Sequence, residues 1–384
     1  EGSRRVGESH PRRGAGEGMA ADVLSQLQAA PKVELHVHLD GALDTESLFA
    51  ASRQFRDELP EKRVCPWEDP KTKEHPVVYP QSELGDCRTL EEFKAMVTSK
   101  AEVGLYPLLK VFYRYLPVVT GRNELLEEFA FKFCALQAKN NVVYSEVRYS
   151  PHEFLPEGHR ASPPPDAARA VVESVSRGLR RGEAEFSIVV RQILCLINFS
   201  PQWSMDAVET ALASRDLGVV GLDIAAGEHH FDIQDLHSAH KAALDRAHEA
   251  GMPITVHAGE DGPASAVRKA IDAYHARRIG HGYHILEDEE LCARIAREQV
   301  HLECCPTSSL LTGAFAGSWA DHPIKTFVRS GMSVSLNSDD PMVLDVDMRG
   351  EVALALEKIG LTAEELRACT RSAIDAAFCD EAAK

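Results

Sequence analysis

Hydrophobic and polar positions along the chain follow two alternating periods. Short runs rich in β-branched residues recur at 33–39 (VELHVHL), 142–150 (VVYSEVRYS), 187–196 (SIVVRQILCL), 219–225 (VVGLDIA), 253–259 (PITVHAG), 277–282 (RRIGHG), 300–305 (VHLECC) and 332–340 (MSVSLNSDD). Between them lie longer stretches such as ELLEEFAFKFCALQAKN, LHSAHKAALDRAHEAGM and DEELCARIAREQV. There the apolar residues return every three or four positions, as an amphipathic helix requires. Strand–helix alternation repeated eight times predicts an α/β fold, a (β/α)8 TIM barrel. A doubly wound open sheet is the competing architecture.

One connection breaks the rhythm. Roughly 100 residues separate the first two runs, far more than an ordinary βα loop needs. Within them Thr89-Leu90-Glu91-Glu92 reads as a capping box, with Leu90, Phe93 and Val97 on one face of the helix it opens. The chain therefore predicts a helical insertion between strands 1 and 2, a candidate lid at the barrel mouth. The block ASPPPDA (161–167) reads as a loop before a helix. At the N-terminus, a Gly/Arg/Glu-rich stretch lacks an apolar segment. Residues 1–20 are expected to be disordered and 21–384 to form a single domain. Met19 as the natural start and a fragment of a longer chain both remain open.

Bulk properties narrow the partners. With 384 residues and a formal net charge of −17, the chain lacks the positive footprint that duplex nucleic acid or an anionic membrane surface requires. No apolar run approaches the ~20 residues of a membrane span. Nine scattered cysteines, an odd number, do not form a disulfide framework and fit a reducing, cytoplasmic setting.

The candidate chemistry starts in the first run. Val33, Leu35, Val37 and Leu39 share one face of that strand; Glu34, His36 and His38 share the other. The two imidazoles stand about 6.6 Å apart, close enough to reach one metal. Barrel sites gather at the C-terminal ends of strands. His257 ends strand 5, and Asp339 ends strand 8 on the face of Ser333, Ser335 and Asn337. An isolated H-x-H carries little weight, but three imidazoles and a carboxylate at strand ends form a ligand set for Zn2+ with an open position; iron or cobalt would also be accepted. Glu260, three residues past His257, can reach this centre without ligating. His281 ends strand 6 between Gly280 and Gly282, and Asp340 adjoins Asp339, a pairing also compatible with a plain turn before Pro341.

The segments PKVELHVHLDGAL, VVYSEVRYSPHEF, TVHAGE, RIGHGYH and SLNSDDP, in that order across residues 31–341, resemble the adenosine deaminase family of the amidohydrolase superfamily. RQILCLINFSPQW and SSLLTGAF look closest to the animal-type enzymes. The resemblance implies that His36, His38, His257 and Asp339 bind one Zn2+ per chain and that the substrate is a purine nucleoside, adenosine or 2′-deoxyadenosine, hydrolysed with release of ammonia. It makes Glu260 the proton donor to purine N1. It makes His281 the group that helps deprotonate the attacking water, and Asp340 the partner of purine N7. Asp40 matches the contact to the ribose 5′-hydroxyl, and Leu90 and Phe93 match a hydrophobic gate.

Two departures are visible. After strand 4 the family has a glycine whose N–H meets purine N3; here LDIAAGE offers Gly227 or Ala226. After Pro341 only 43 residues follow, where the family carries a further helix, so a truncated barrel is expected. Sibling activities share the ligands: adenine deaminase, and AMP or N6-methyl-AMP deaminase. An anion at Asp40 would repel a 5′-phosphate, and no Lys or Arg beside these motifs answers it. Binuclear relatives need a bridging lysine after strand 4, where this chain has Ala and Gly, so one metal is expected. HLECC (301–305) lacks the P-C-x-x-C partner of a cytidine-deaminase-type zinc site, and Glu303 and Cys305 read as barrel lining. A non-catalytic binding protein would lack a ligand or Glu260, and all are present.

Overall fold

The computed structural model describes residues 15–99, 103–228 and 234–379. Eight parallel strands form the centre: β1 (Lys32–His38), β2 (Val142–Tyr149), β3 (Val189–Ile197), β4 (Val219–Ala225), β5 (Thr255–Ala258), β6 (Arg278–His281), β7 (His301–Cys304) and β8 (Val334–Leu336). Continuous pairing runs β1-β2-β3-β4 and β8-β7-β6-β5. Two parallel bridges join these halves, Leu222↔Ile254 between β4 and the approach to β5, and Val37↔Asp339 between β1 and the end of β8. At the second seam His38 N–H donates to Asp339 O at 2.8 Å and Asp339 N–H to His36 O at 3.1 Å. The expected barrel is therefore closed. β5 and β8 are shorter than the apolar runs that announced them. After β8 the chain leaves extended geometry, and Asp339 adopts φ +64°.

Helices α1 (Ala15–Ala29), α2 (Thr45–Gln54), α3 (Leu90–Val97), α4 (Leu105–Val119), α5 (Asn123–Lys139), α6 (Ala167–Phe186), α7 (Ser204–Ala213), α8 (Gln234–Glu249), α9 (Ala264–Tyr274), α10 (Glu289–Glu298), α11 (Pro323–Arg329) and α12 (Ala363–Ala376) surround it. From α5 onward each follows one strand, the repeating unit of the barrel. The strands are buried on both faces for this reason. Val33 and Leu35 of β1 pack with Tyr144, Ala373 and Ala377 at the α12 end of the chain. His36 and His38 face inward, but Glu34 does not join them as the sequence suggested: the pairing of β1 with β2 shifts register between Glu34 and Val37, and the Glu34 carboxylate accepts from Gln137 Nε2 of α5 at 2.7 Å and from Ser338 N–H at 2.9 Å.

The barrel interior carries a buried network of ion pairs. Arg148 Nη1 donates to Asp223 at 3.0 Å and its Nη2 to Glu303 at 2.8 Å. Arg278 joins Glu303 at 2.6 Å and Glu146 at 2.7 Å. Buried charges are tolerated only when partnered in this way.

The insertion between β1 and β2 holds α2, α3 and α4 and a ribbon of two short antiparallel strands, Arg63–Val64 with Val77–Val78, too short to leave a period in the sequence. The capping box is present: Thr89 Oγ1 accepts from Glu92 N–H at 3.2 Å, and Glu92 Oε2 accepts from Thr89 N–H at 3.3 Å. Phe93 and Val97 are buried, Phe93 against Phe49 of α2 with ring centroids 5.3 Å apart.

At the N-terminus only the end of the segment expected to be disordered, residues 15–20, is described. α1 starts at Ala15, where AADVLSQLQA supplies good helix formers; residues 1–14 lie outside the described residues. Among the described residues no disulfide joins the cysteines, and no helix is long and apolar enough to cross a membrane.

Candidate metal centre

Period-two alternation aims His36 and His38 from β1 into the barrel mouth. His257 arrives from β5 and Asp339 from the residue after β8. His36 Nε2 lies 3.2 Å and His38 Nε2 3.5 Å from Asp339 Oδ1. His38 Nε2 faces His257 Nε2 at 3.3 Å. The donor atoms of His36, His257, His281 and Asp339 lie within 4.8 Å of one another, and so do those of His38, Asp339 and Asp340.

The supporting groups decide what these atoms are. His36 Nδ1–H donates to Glu303 Oε2 at 2.8 Å, and His257 Nδ1–H donates to Asp223 Oδ1 at 3.1 Å. A carboxylate only accepts, so each ring carries a proton on Nδ1, and in the neutral ring this leaves the lone pair at Nε2 facing the centre. Burial would raise the Glu303 pKa, yet Arg148, Arg278 and His36 hold it well below the usual range. Bare nitrogens and a carboxylate oxygen then converge, acceptor facing acceptor, which is repulsive unless a cation lies among them. The donor set therefore fits a divalent metal, and N3O with an open side suits zinc among the first-row ions.

Around this centre stands the proton machinery. Glu260 Oε2 is 3.6 Å from His281 Nε2. Burial first, then Asp339, Asp261 and Glu228, push the Glu260 carboxyl well above the ordinary range. Asp340 is driven up likewise, by burial and by Asp339, Asp40 and Glu260. Burial keeps the His281 imidazole well below its usual value, hence neutral. His281 and Asp339 hold left-handed backbone at φ +66° and +64° without being glycine, strain of the kind that collects at working sites. Gly41 has a different reason: a Cβ there would stand 1.9 Å from Asp340 Oδ1.

Glu260 is itself held in place. Glu228, from the loop after β4, accepts three successive backbone N–H groups: Gly259 at 2.8 Å, Glu260 at 2.6 Å and Asp261 at 3.1 Å. Its own N–H donates to Asp261 Oδ1 at 2.9 Å. Sequence reasoning missed Glu228, Asp223 and Arg148, and saw in Glu303 only a lining residue. An inward carboxylate in LDIAAGE was the available signal for Asp223.

These groups open onto one cavity with about 680 Å³ of empty space. His38, Asp40, His257, Glu260, His281, Asp339 and Asp340 line it, so those expected site residues are brought together; His36 stands just beneath. Two expectations are corrected. Leu90 and Phe93 do not line the cavity, since Phe93 is committed to α2. Its apolar wall is the α4 stripe Leu105, Leu108, Leu109, Phe112 and Leu116. Gly227 does not line it either: Ala226 does, at φ +74°, while a Cβ at Gly227 would collide with Tyr106.

The sequence profile described as adenosine deaminase matches residues 84–384. An adenosine deaminase of Xenopus tropicalis is 34% identical over 364 residues, covering 92% of each chain. An amidohydrolase from Burkholderia ambifaria, solved with bound Zn, superposes with a TM-score of 0.74 at 25% identity, covering 94% of this chain and 89% of that one. The N6-methyl-AMP deaminase of Arabidopsis thaliana shares the fold, with a TM-score of 0.72 at 23% identity over 94% of this chain and 95% of its own. Sequence, barrel and converging ligands agree: this chain is an enzyme of the adenosine deaminase family, metal-dependent hydrolases of the amidohydrolase type.

Proposed function

We propose that the enzyme hydrolyses adenosine and 2′-deoxyadenosine to the inosine forms with release of ammonia, using one zinc held by His36, His38, His257 and Asp339. When bound, such an ion lowers the pKa of a coordinated water from about 15.7 to about 7. His281, neutral and with neither ring nitrogen in a hydrogen bond, is free to take the proton of the attacking water. Glu260, kept protonated by burial among carboxylates, donates to ring N1 and makes the neighbouring amino-bearing carbon electrophilic. Asp340, also protonated, donates to N7, an acceptor on a neutral purine. Asp40 takes the 5′-hydroxyl, and the α4 stripe covers the ring and excludes water.

One observation carries this reading: ring nitrogens of His36, His38 and His257 and the Asp339 carboxylate crowd together beside the buried Glu260. Among the described residues no Lys or Arg lines that cavity, which favours a free nucleoside over a 5′-phosphate. Ammonia release and loss of adenosine absorbance, measured with metal content, test it. Chelated enzyme should be inactive and regain activity with zinc. Activity that survives complete stripping would overturn the proposal.

A further inference from the structure

Away from the candidate metal centre, Asp40 Oδ1 and Trp67 Nε1 of the cavity wall are buried without hydrogen bonds, and Glu153 Oε2 beside them meets two arginines as ion pairs but completes no hydrogen bond. Glu153 sits in the turn Pro151–Phe154 that follows β2 and is 4% exposed. Its Oε1 accepts from Tyr113 Oη at 3.2 Å. Its Oε2 stands 3.1 Å from Arg160 Nη1 and 3.9 Å from Arg63 Nη2. Trp67 is carried in by the loop after Arg63–Val64 and meets the Tyr113 ring edge-on at 4.5 Å. Arg63 covers the other side of that ring at 4.1 Å. Both arginines thus reach toward Glu153 and neither lines the cavity.

A carboxylate accepts and an indole N–H donates. Buried groups of this kind are costly unless a ligand completes them. A sugar hydroxyl can do both, whereas an ionised phosphate only accepts and would meet two carboxylates. We propose that Glu153 is a specificity-determining residue of the sugar subsite. It accepts from a ribose hydroxyl other than the one at Asp40, Trp67 Nε1 donates to a sugar oxygen, and Arg63 and Arg160 stay engaged with Glu153 so that a 5′-phosphate finds no cation. This rests on the nucleoside reading above.

Zinc-loaded wild type and E153Q, matched for metal content and thermal midpoint, are compared on adenosine and its 2′-, 3′- and 5′-deoxy analogues, and on AMP. Expected is a loss of about 10–100-fold in kcat/KM on adenosine, carried by KM. It shrinks below about threefold on whichever of the 2′- and 3′-deoxy analogues lacks the bonded hydroxyl, and stays full on 5′-deoxyadenosine. The AMP-to-adenosine ratio rises at least about tenfold as the arginines are released. Equal losses on every analogue, or an unchanged ratio, overturn the proposal while leaving the nucleoside reading intact. A wild type inactive on adenosine overturns that reading instead. W67F, which keeps the ring and loses the donor, gives a second arm: KM on adenosine should rise with kcat held, and an unaltered KM counts against the subsite.

Discussion

At the scale of single residues, the centre works by fixing where protons sit. In the proposed reaction Glu260 donates, so removing its proton while keeping its shape is the sharpest change. Glu260→Gln should lower kcat by about 10²–10⁴-fold and keep full metal content, as read by steady-state rates and elemental analysis. Glu228 acts through Glu260. Glutamine there has one acceptor oxygen, and its NH2 would confront a backbone N–H, so Glu228→Gln should lower kcat about tenfold or more with KM nearly unchanged. A larger change in KM than in kcat would show that Glu228 shapes the pocket rather than the proton donor. The proposed ligands His36, His38, His257 and Asp339 could be picked out as candidates because strand periodicity and strand ends are local signals. Their supports were not. Glu303 and His36 are 267 positions apart, and Glu228 and Glu260 are 32. Nothing in a single chain announces which distant carboxylate will take which N–H. Ala226 was undecidable for a related reason: either neighbour could take the strand-end position, and only the collision of a Gly227 side chain with Tyr106 selects.

Individual elements divide cleanly into those that carry their own instructions and those placed by the rest. The α3 capping box reads straight from Thr89 and Glu92. Thr89→Ala should cost about 1 kcal/mol in unfolding free energy without altering kcat, measurable by denaturant titration. The expected gate was a failure of placement rather than of helix recognition. Phe93 is apolar and helical as predicted, but α2 supplies Phe49 and claims it. The α4 stripe, repeating at three- and four-residue spacing, roofs the cavity instead. Phe112→Ala should therefore raise KM for adenosine several-fold, whereas Phe93→Ala should mainly lower stability, by about 3–5 kcal/mol. Kinetics and thermal denaturation on both variants separate the two roles.

Across the whole molecule, barrel closure was legible from eight repeats, while the short ribbon was not. The interior also stores protons. Burial pushes Glu351, in the short helix Met348–Leu354, from an ordinary 4.5 up to about 8. The folded chain therefore retains a proton that the unfolded chain releases. This contribution is complete below about pH 4.5 and is lost as pH rises through about 8, with a slope of at most about 1.4 kcal/mol per unit. Glu228, raised to about 7 by burial and by Asp261, acts in the same direction. Thermal midpoints should fall between pH 5 and 8, and Glu351→Gln should flatten that fall; parallel curves for the two proteins would discount Glu351.

The Val37↔Asp339 bridge has a consequence for how the cylinder breathes. There the chain's first and last staves are stitched by peptide groups belonging to His36, His38 and Asp339, the residues whose side chains are proposed to hold the cation. Loading the ion thus rivets the joint at which the ring could most easily gape. Deuterium uptake at the amides of His38 and Asp339 should quicken on chelation far more than at Leu222, on the opposite joint, and an equal response at both would separate ion binding from the integrity of the wall.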